Sequence, residues 1–211
     1  RIIGGLEKKN KIITPKEKRT IAYHEAGHAS VSWLLEHANP LVKVTIVPRG
    51  QALGAAWYLP EERQITTKAQ LLHQMISLLG GRAAEEIVFG EVSTGALNDL
   101  ERVTKQAYAM VVYYGLDKEI GNISFYDSSG QSEYGFQKPF SDKTAEKIDA
   151  QIRSMVEEAY NKAKAILTEN REKLDALATI LVEREVIFRE DVENIYGKRP
   201  WDEEKADEQQ A

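Results

Sequence analysis

The chain has 211 residues, 42% hydrophobic and 29% charged, a balance that can bury a sizeable core, and at roughly 150 residues per domain the length allows one domain or one plus a small appendage. Its net charge of −5 offers nothing to phosphate, which argues against a nucleic-acid partner. The lack of cysteine excludes disulfides, thiol nucleophiles, thiolate zinc sites and iron–sulfur clusters.

No apolar run approaches the ~18 residues of a membrane span, and Arg1-Ile2-Ile3-Gly4-Gly5 is no signal peptide, so the chain is expected to act as a soluble unit or as a piece of something larger. Residues 1–20 hold seven Lys/Arg against Glu7 and Glu17. The tail from Asp202 to Ala211 holds five acids against Lys205. Both ends read as solvated flanks, and the tail as disordered, because such composition cannot bury itself.

The first element opens at Thr14-Pro15-Lys16-Glu17, a capping-box signal with proline at the first helical position. The spacing predicts a helix through Ile21, Trp33 and Leu34 as far as His37, with Pro40 beyond. Val42–Val47 alternates and is β-branched, and after Pro48-Arg49-Gly50 a second strand is expected over Leu53–Leu59, giving a hairpin. A long helix follows from near Thr67 to Phe89, with Leu71, Leu72, Met75, Ile76 and Leu79 on its apolar face. Gly80-Gly81 inside it points to close contact with a neighbour. A third helix carries Leu100, Val103, Ala107 and Val111 and stops near Gly115. Residues 116–140 read as irregular, with a strand expected at Ile120–Phe125. Ser141 opens a long helix through Ile166, Thr168 opens another with Leu174, Leu177, Ala178 and Leu181 inward, and a short helix covers Glu190–Tyr196. The fold class is mainly α-helical with a small β-sheet.

The chemistry sits in the first helix at His24-Glu25-Ala26-Gly27-His28. Residues i and i+4 share a helical face, so both imidazoles can meet one metal ion. Glu25 is rotated off that face but close enough to reach a water beside the metal. Such a helix suits metal-assisted peptide hydrolysis. With four His and 24 Glu in the chain, the pattern arises somewhere by chance at about 1%. The helix is also rich in Ala26, Ala29, Val31 and Trp33, where two unpartnered imidazoles would be costly.

A catalytic zinc needs a third protein ligand. Ala29-Ser30-Val31-Ser32-Trp33 after the motif lacks the Gly and His of the metzincin extension. His37 would lie about half a turn away if the helix continues, and His73 sits among Gln70 and Gln74 as a surface or boundary histidine. The acidic choices are Glu85 and Glu86 on the second long helix and Asp99 in the opening turns of the third. Salt bridging on a helix surface also explains Glu85 and Glu86, and a favourable helix-start charge also explains Asp99. Spacing leaves Glu85 and Asp99 level.

Four blocks in order resemble the FtsH family of membrane-anchored, ATP-dependent zinc metalloproteases: His24–His28, Lys43–Gly50, Gly80–Glu86 and Ser93–Leu100. The likeness is to that family's C-terminal protease domain. It implies a zincin-type helix, one zinc per chain held by His24, His28 and Asp99, and Glu25 as the base that takes a proton from the attacking water and passes it to the leaving amine. Glu85 and Glu86 then fall behind the ligands or serve structure. The resemblance makes residues 1–14 a linker from an AAA ATPase domain, 15–201 the protease domain and 202–211 the tail. No G-x-x-x-x-G-K-[ST] occurs here, so ATP would be bound only through that other domain. The family further implies a homo-hexamer, unfolded or tagged polypeptide substrates drawn from membrane and soluble proteins, and a full-length protein in the bacterial inner membrane facing the cytoplasm, or in an equivalent organelle membrane. The rival reading is a non-catalytic hexamerisation module with a structural zinc. Closed structural sites usually need four protein ligands, often cysteine. One of the two strands is expected to offer a free edge to an extended substrate.

Overall fold

The computed structural model describes residues 14–48, 54–59, 64–126, 139–199 and 201. The basic stretch before Thr14, the turn at Arg49-Gly50, Leu53 and the acidic tail lie outside them. The elements, in chain order, are α1 (Pro15–Trp33), β1 (Leu41–Thr45), β2 (Ala55–Tyr58), α2 (Lys68–Phe89), α3 (Leu97–Tyr108), α4 (Asp142–Glu169), α5 (Arg171–Arg184), β3 (Val186–Phe188) and α6 (Arg189–Tyr196). This is the mainly helical architecture with a small sheet that the sequence predicts. Among the described residues no helix is long and apolar enough to cross a membrane.

α1 begins with the expected reciprocal cap: Thr14 Oγ1 accepts from the Glu17 N–H, and Glu17 Oε2 accepts from the Thr14 N–H. From Ile21 to Trp33 every residue is buried. The helix therefore runs through the core, with α2 and α5 packed against it and the sheet against another side. Its buried hydroxyls are satisfied: Ser30 Oγ accepts from Tyr196 Oη at 2.7 Å, and Ser32 Oγ donates to Tyr58 Oη at 3.1 Å. α4 lies across α2 and supplies Ile148, Met155, Ala159, Ala163 and Leu167 to the core.

The contact of α1 with α2 is possible only because two glycines face each other. A Cβ on Gly27 would collide with the Gly80 carbonyl and stand 2.7 Å from Ala84 Cβ. A Cβ on Gly80 would stand 2.7 Å from the Gly27 carbonyl oxygen. The Gly80-Gly81 pair thus does what its composition suggested.

The sheet order is β2-β1-β3, all antiparallel, with Val44 opposite Ala56 on one side and Ile187 on the other. β3 was not anticipated; three residues are too few to show a strand period. Its presence makes β1 the central strand, so β1 has no free edge. β2 keeps one edge with no strand partner among the described residues.

Several expectations need correction. α1 ends at Trp33 rather than His37. The carbonyls of Trp33, Leu35 and Ala38 accept instead from the buried Arg199 guanidinium, and Pro40 disfavours helix at Asn39. Ile120–Phe125 is not a strand. Asp117 Oδ1 accepts from the N–H groups of Glu119 and Ile120, and Phe125 N–H donates to the Val112 carbonyl, leaving no ladder to build. Thr168 lies inside α4, its hydroxyl donating back to Lys164 O; α5 starts at Arg171. Beyond α3 the helical path widens into a π turn over Ala109–Tyr113, which ends before Gly115 at φ 61°.

Candidate metal centre

His24 and His28, one turn apart on α1, turn their Nε2 atoms toward one point. Asp99, on the third residue of α3, reaches the same point from the other side. The three distances between ligand atoms are 3.1 Å (His24 Nε2 to His28 Nε2), 3.3 Å (His24 Nε2 to Asp99 Oδ2) and 3.4 Å (His28 Nε2 to Asp99 Oδ2). The edge of a tetrahedron with zinc–ligand bonds of about 2.05 Å is about 3.3 Å. Of the histidines and acids among the described residues, only these three gather in this way.

The outer nitrogens decide what the inner ones can be. His24 Nδ1 donates to Glu85 Oε1 at 2.7 Å, and His28 Nδ1 donates to the Ser77 carbonyl at 2.9 Å. Each ring then carries its hydrogen on Nδ1, and each Nε2 presents a lone pair. Two buried lone pairs and a carboxylate oxygen converge with no donor among them. That arrangement is repulsive unless a positive charge sits at its centre, so the donor set fits zinc.

The electrostatics show the same demand for positive charge at this point. Burial pulls His24 down, but Asp99 and Glu85 outweigh it and raise its pKa to about 10, so a proton competes with a metal ion for Nε2. Burial likewise raises Asp99, yet the two imidazoles hold it well below the usual carboxylate range. Glu25 is pushed up by burial, against the pull of His28 and His24. A carboxylate raised in this way is suited to accept a proton.

α2 backs the whole site. Ser77, Gly81 and Glu85 follow each other at i, i+4 and so share one face. Ser77 offers its carbonyl to His28 and Glu85 its carboxylate to His24. Gly81 gives the His24 ring its space, since a Cβ there would lie 2.5 Å from Nε2. On the other side lies Gly54, the residue that leads into β2: a Cβ there would lie 2.6 Å from Glu25 Oε1. Glu25 is thus walled by the residue just before β2, the strand whose outer edge has no strand partner among the described residues.

The structure brings His24, His28 and Asp99 together and places Glu85 behind His24. Glu86 faces elsewhere, accepting from Tyr160 Oη and pairing with Lys164 Nζ at 3.3 Å, which ties α2 to α4. His37 and His73 stack on each other at 5.0 Å, and the His37 N–H donates to His73 Nδ1. Sequence reasoning missed Ser77 and Ser93. A backbone carbonyl has no sequence signal, although the 77–81–85 spacing could have directed attention to that face. Ser93 donates its N–H and hydroxyl to Glu85 from a short turn with no periodicity to read.

The model of Peptidase family M41 matches residues 11–195. The chain is 64% identical over 201 residues, 95% of its length, to an ATP-dependent zinc metalloprotease FtsH of Parabacteroides distasonis, and covers 29% of that protein. It is 54% identical over 203 residues to the protein of the same name in Rhodothermus marinus, covering 95% of this chain and 29% of that protein. It is 47% identical over 209 residues to the mitochondrial inner membrane m-AAA protease component AFG3L2 of Mus musculus, covering 99% of this chain and 26% of that protein. The chain spans less than a third of the length of each of these relatives.

Proposed function

The chain belongs to Peptidase family M41, the FtsH family of zinc metalloproteases, and from that premise we propose that residues 15–201 are the zinc endopeptidase domain of an ATP-dependent protease. One zinc per chain is held by His24, His28 and Asp99. The observation that carries this reading is the convergence of two Nε2 lone pairs and the Asp99 carboxylate at tetrahedral edge lengths. Zinc held there supplies a Lewis acid that polarises a carbonyl oxygen and lowers the pKa of water to about 7.

The chain's own residues do the rest. Glu25 takes the proton of the attacking water on its carboxylate and returns it to the nitrogen that leaves, so it ends the cycle ionised. Glu85 and Ser77 keep the two imidazoles in the tautomer that leaves Nε2 free. The substrate adds as a strand to the outer edge of β2, a reading supported by the lack of a strand partner at that edge among the described residues and by Gly54, just before β2, lying against Glu25. N-methylation of alternate backbone amides in a peptide substrate should then raise KM at least ~10-fold, losing main-chain hydrogen bonds of about 1 kcal/mol each. An unchanged KM would remove this idea.

The whole protein, in this reading, carries an AAA ATPase domain and membrane helices and assembles as a homo-hexamer that feeds unfolded or tagged polypeptides to these sites. It sits in the bacterial inner membrane facing the cytoplasm or in an equivalent organelle membrane. The names of the relatives, with ATP dependence and a mitochondrial inner membrane among their words, support it. The metal assignment is tested by zinc content. The unaltered protein should hold one zinc per chain, Asp99→Ala should lose most of it, and Glu86→Ala should keep it. Equal zinc in Asp99→Ala would take that residue out of the ligand set.

A further inference from the structure

Asp99 is the one member of the set not carried by α1, so its place depends on the turn that leads into α3. That turn is fastened at Ser93. The Ser93 N–H donates to Glu85 Oε2 at 2.6 Å, and its hydroxyl donates to Glu85 Oε1 at 3.1 Å. The same hydroxyl accepts from the Gly95 N–H at 3.1 Å and so caps the 3-10 turn Thr94–Ala96. Glu85 Oε1 is also the atom that receives His24 Nδ1–H. Two oxygens of one buried carboxylate therefore take three donors: one from a ligand ring and two from the turn that presents the third ligand.

We propose that Ser93 is a positioning residue for Asp99, holding the α3 turn to the back of His24 through Glu85. The proposal rests on the reading of His24, His28 and Asp99 as a metal centre. Ser93 itself is exposed, so removing its hydroxyl opens no cavity in the core. What is lost is one of the two bonds that hold the start of α3 to Glu85, together with the cap of the 3-10 turn, which loosens the closing of the ligand triangle.

The test is zinc affinity by competition with a chromophoric chelator, together with the visible spectrum of the cobalt(II)-substituted protein. Ser93→Ala should bind zinc about 10-fold more weakly, the lower end of what loss of a ligand's supporting partner costs, and its cobalt bands should change. Ser93→Thr keeps the hydroxyl and should restore both. In a Glu85→Gln background, Ser93→Ala should cost little more, because a side-chain amide cannot accept all three donors. Unaltered zinc affinity and cobalt spectrum in Ser93→Ala overturn the proposal, as does failure of Ser93→Thr to restore them. Absence of zinc or cobalt binding in the unaltered protein instead overturns the metal centre itself, and the proposal with it.

Discussion

A methyl group on Gly81 would stand 2.5 Å from His24 Nε2, on the ligand atom itself. Gly81→Ala must therefore push the ring off its position while leaving every ligand residue in the chain. Zinc affinity should fall at least ~10-fold, read by chelator competition; an unchanged affinity would mean that the ring can shift without leaving the ligand set. At this scale the sequence was informative where one helix sets the geometry. His24, Glu25 and His28 are legible because i, i+4 spacing fixes their relative directions on α1. Asp99 is not, since its approach depends on how α3 meets α1, and residue spacing holds no record of that. Glu85 and Glu86 make the same point. Neighbours in a helix face directions about 100° apart, so Glu85 meets His24 while Glu86 meets Tyr160 and Lys164.

α1 and α2 approach through Gly27 and Gly80, and each glycine faces the other's backbone rather than a side chain that could move aside. Gly27→Ala should then force the helices apart, with a cost of at least ~2 kcal/mol by the measure of overpacked cores and a fall in zinc content, since Ser77, Gly81 and Glu85 would move away from the histidines. Thermal unfolding with a parallel metal assay checks both; a variant as stable as the parent would show that the close approach is not needed. The long helices were legible because their apolar periods run over several turns, as with Leu174, Leu177, Ala178 and Leu181 on α5, all buried as the period requires. The small pieces were not. β3 is three residues long, and Ile120–Phe125 has the β-branched look of a strand but spends its backbone groups on Asp117 and Val112. β3 is set by β1, far away in sequence, and Ile120–Phe125 by the nearby Asp117 side chain together with the Val112 carbonyl, and strand propensity encodes neither.

At the scale of the molecule, α1 is a rod buried from Ile21 onward and clamped at both ends. Thr14 and Glu17 close its start, and the C-terminal segment closes its finish. There Trp33 Nε1 donates to the Gly197 carbonyl, and Arg199 covers the carbonyls of Trp33, Leu35 and Ala38. Such a rod fixes His24, Glu25 and His28 against α2 on one side and the segment that enters β2 on the other. In the proposed function this assembly is a hydrolytic zinc centre with Glu25 as its base. Cleavage of a permanently unfolded protein by the parent and by Glu25→Gln, each with zinc content measured and with and without a chelator, tests that most directly. Glu25→Gln should keep its zinc and lose about 100-fold or more of the cleavage rate, the usual contribution of a positioned base, and the parent's activity should vanish under chelation and return with added zinc. Equal cleavage by parent and Glu25→Gln, at equal zinc, would contradict it.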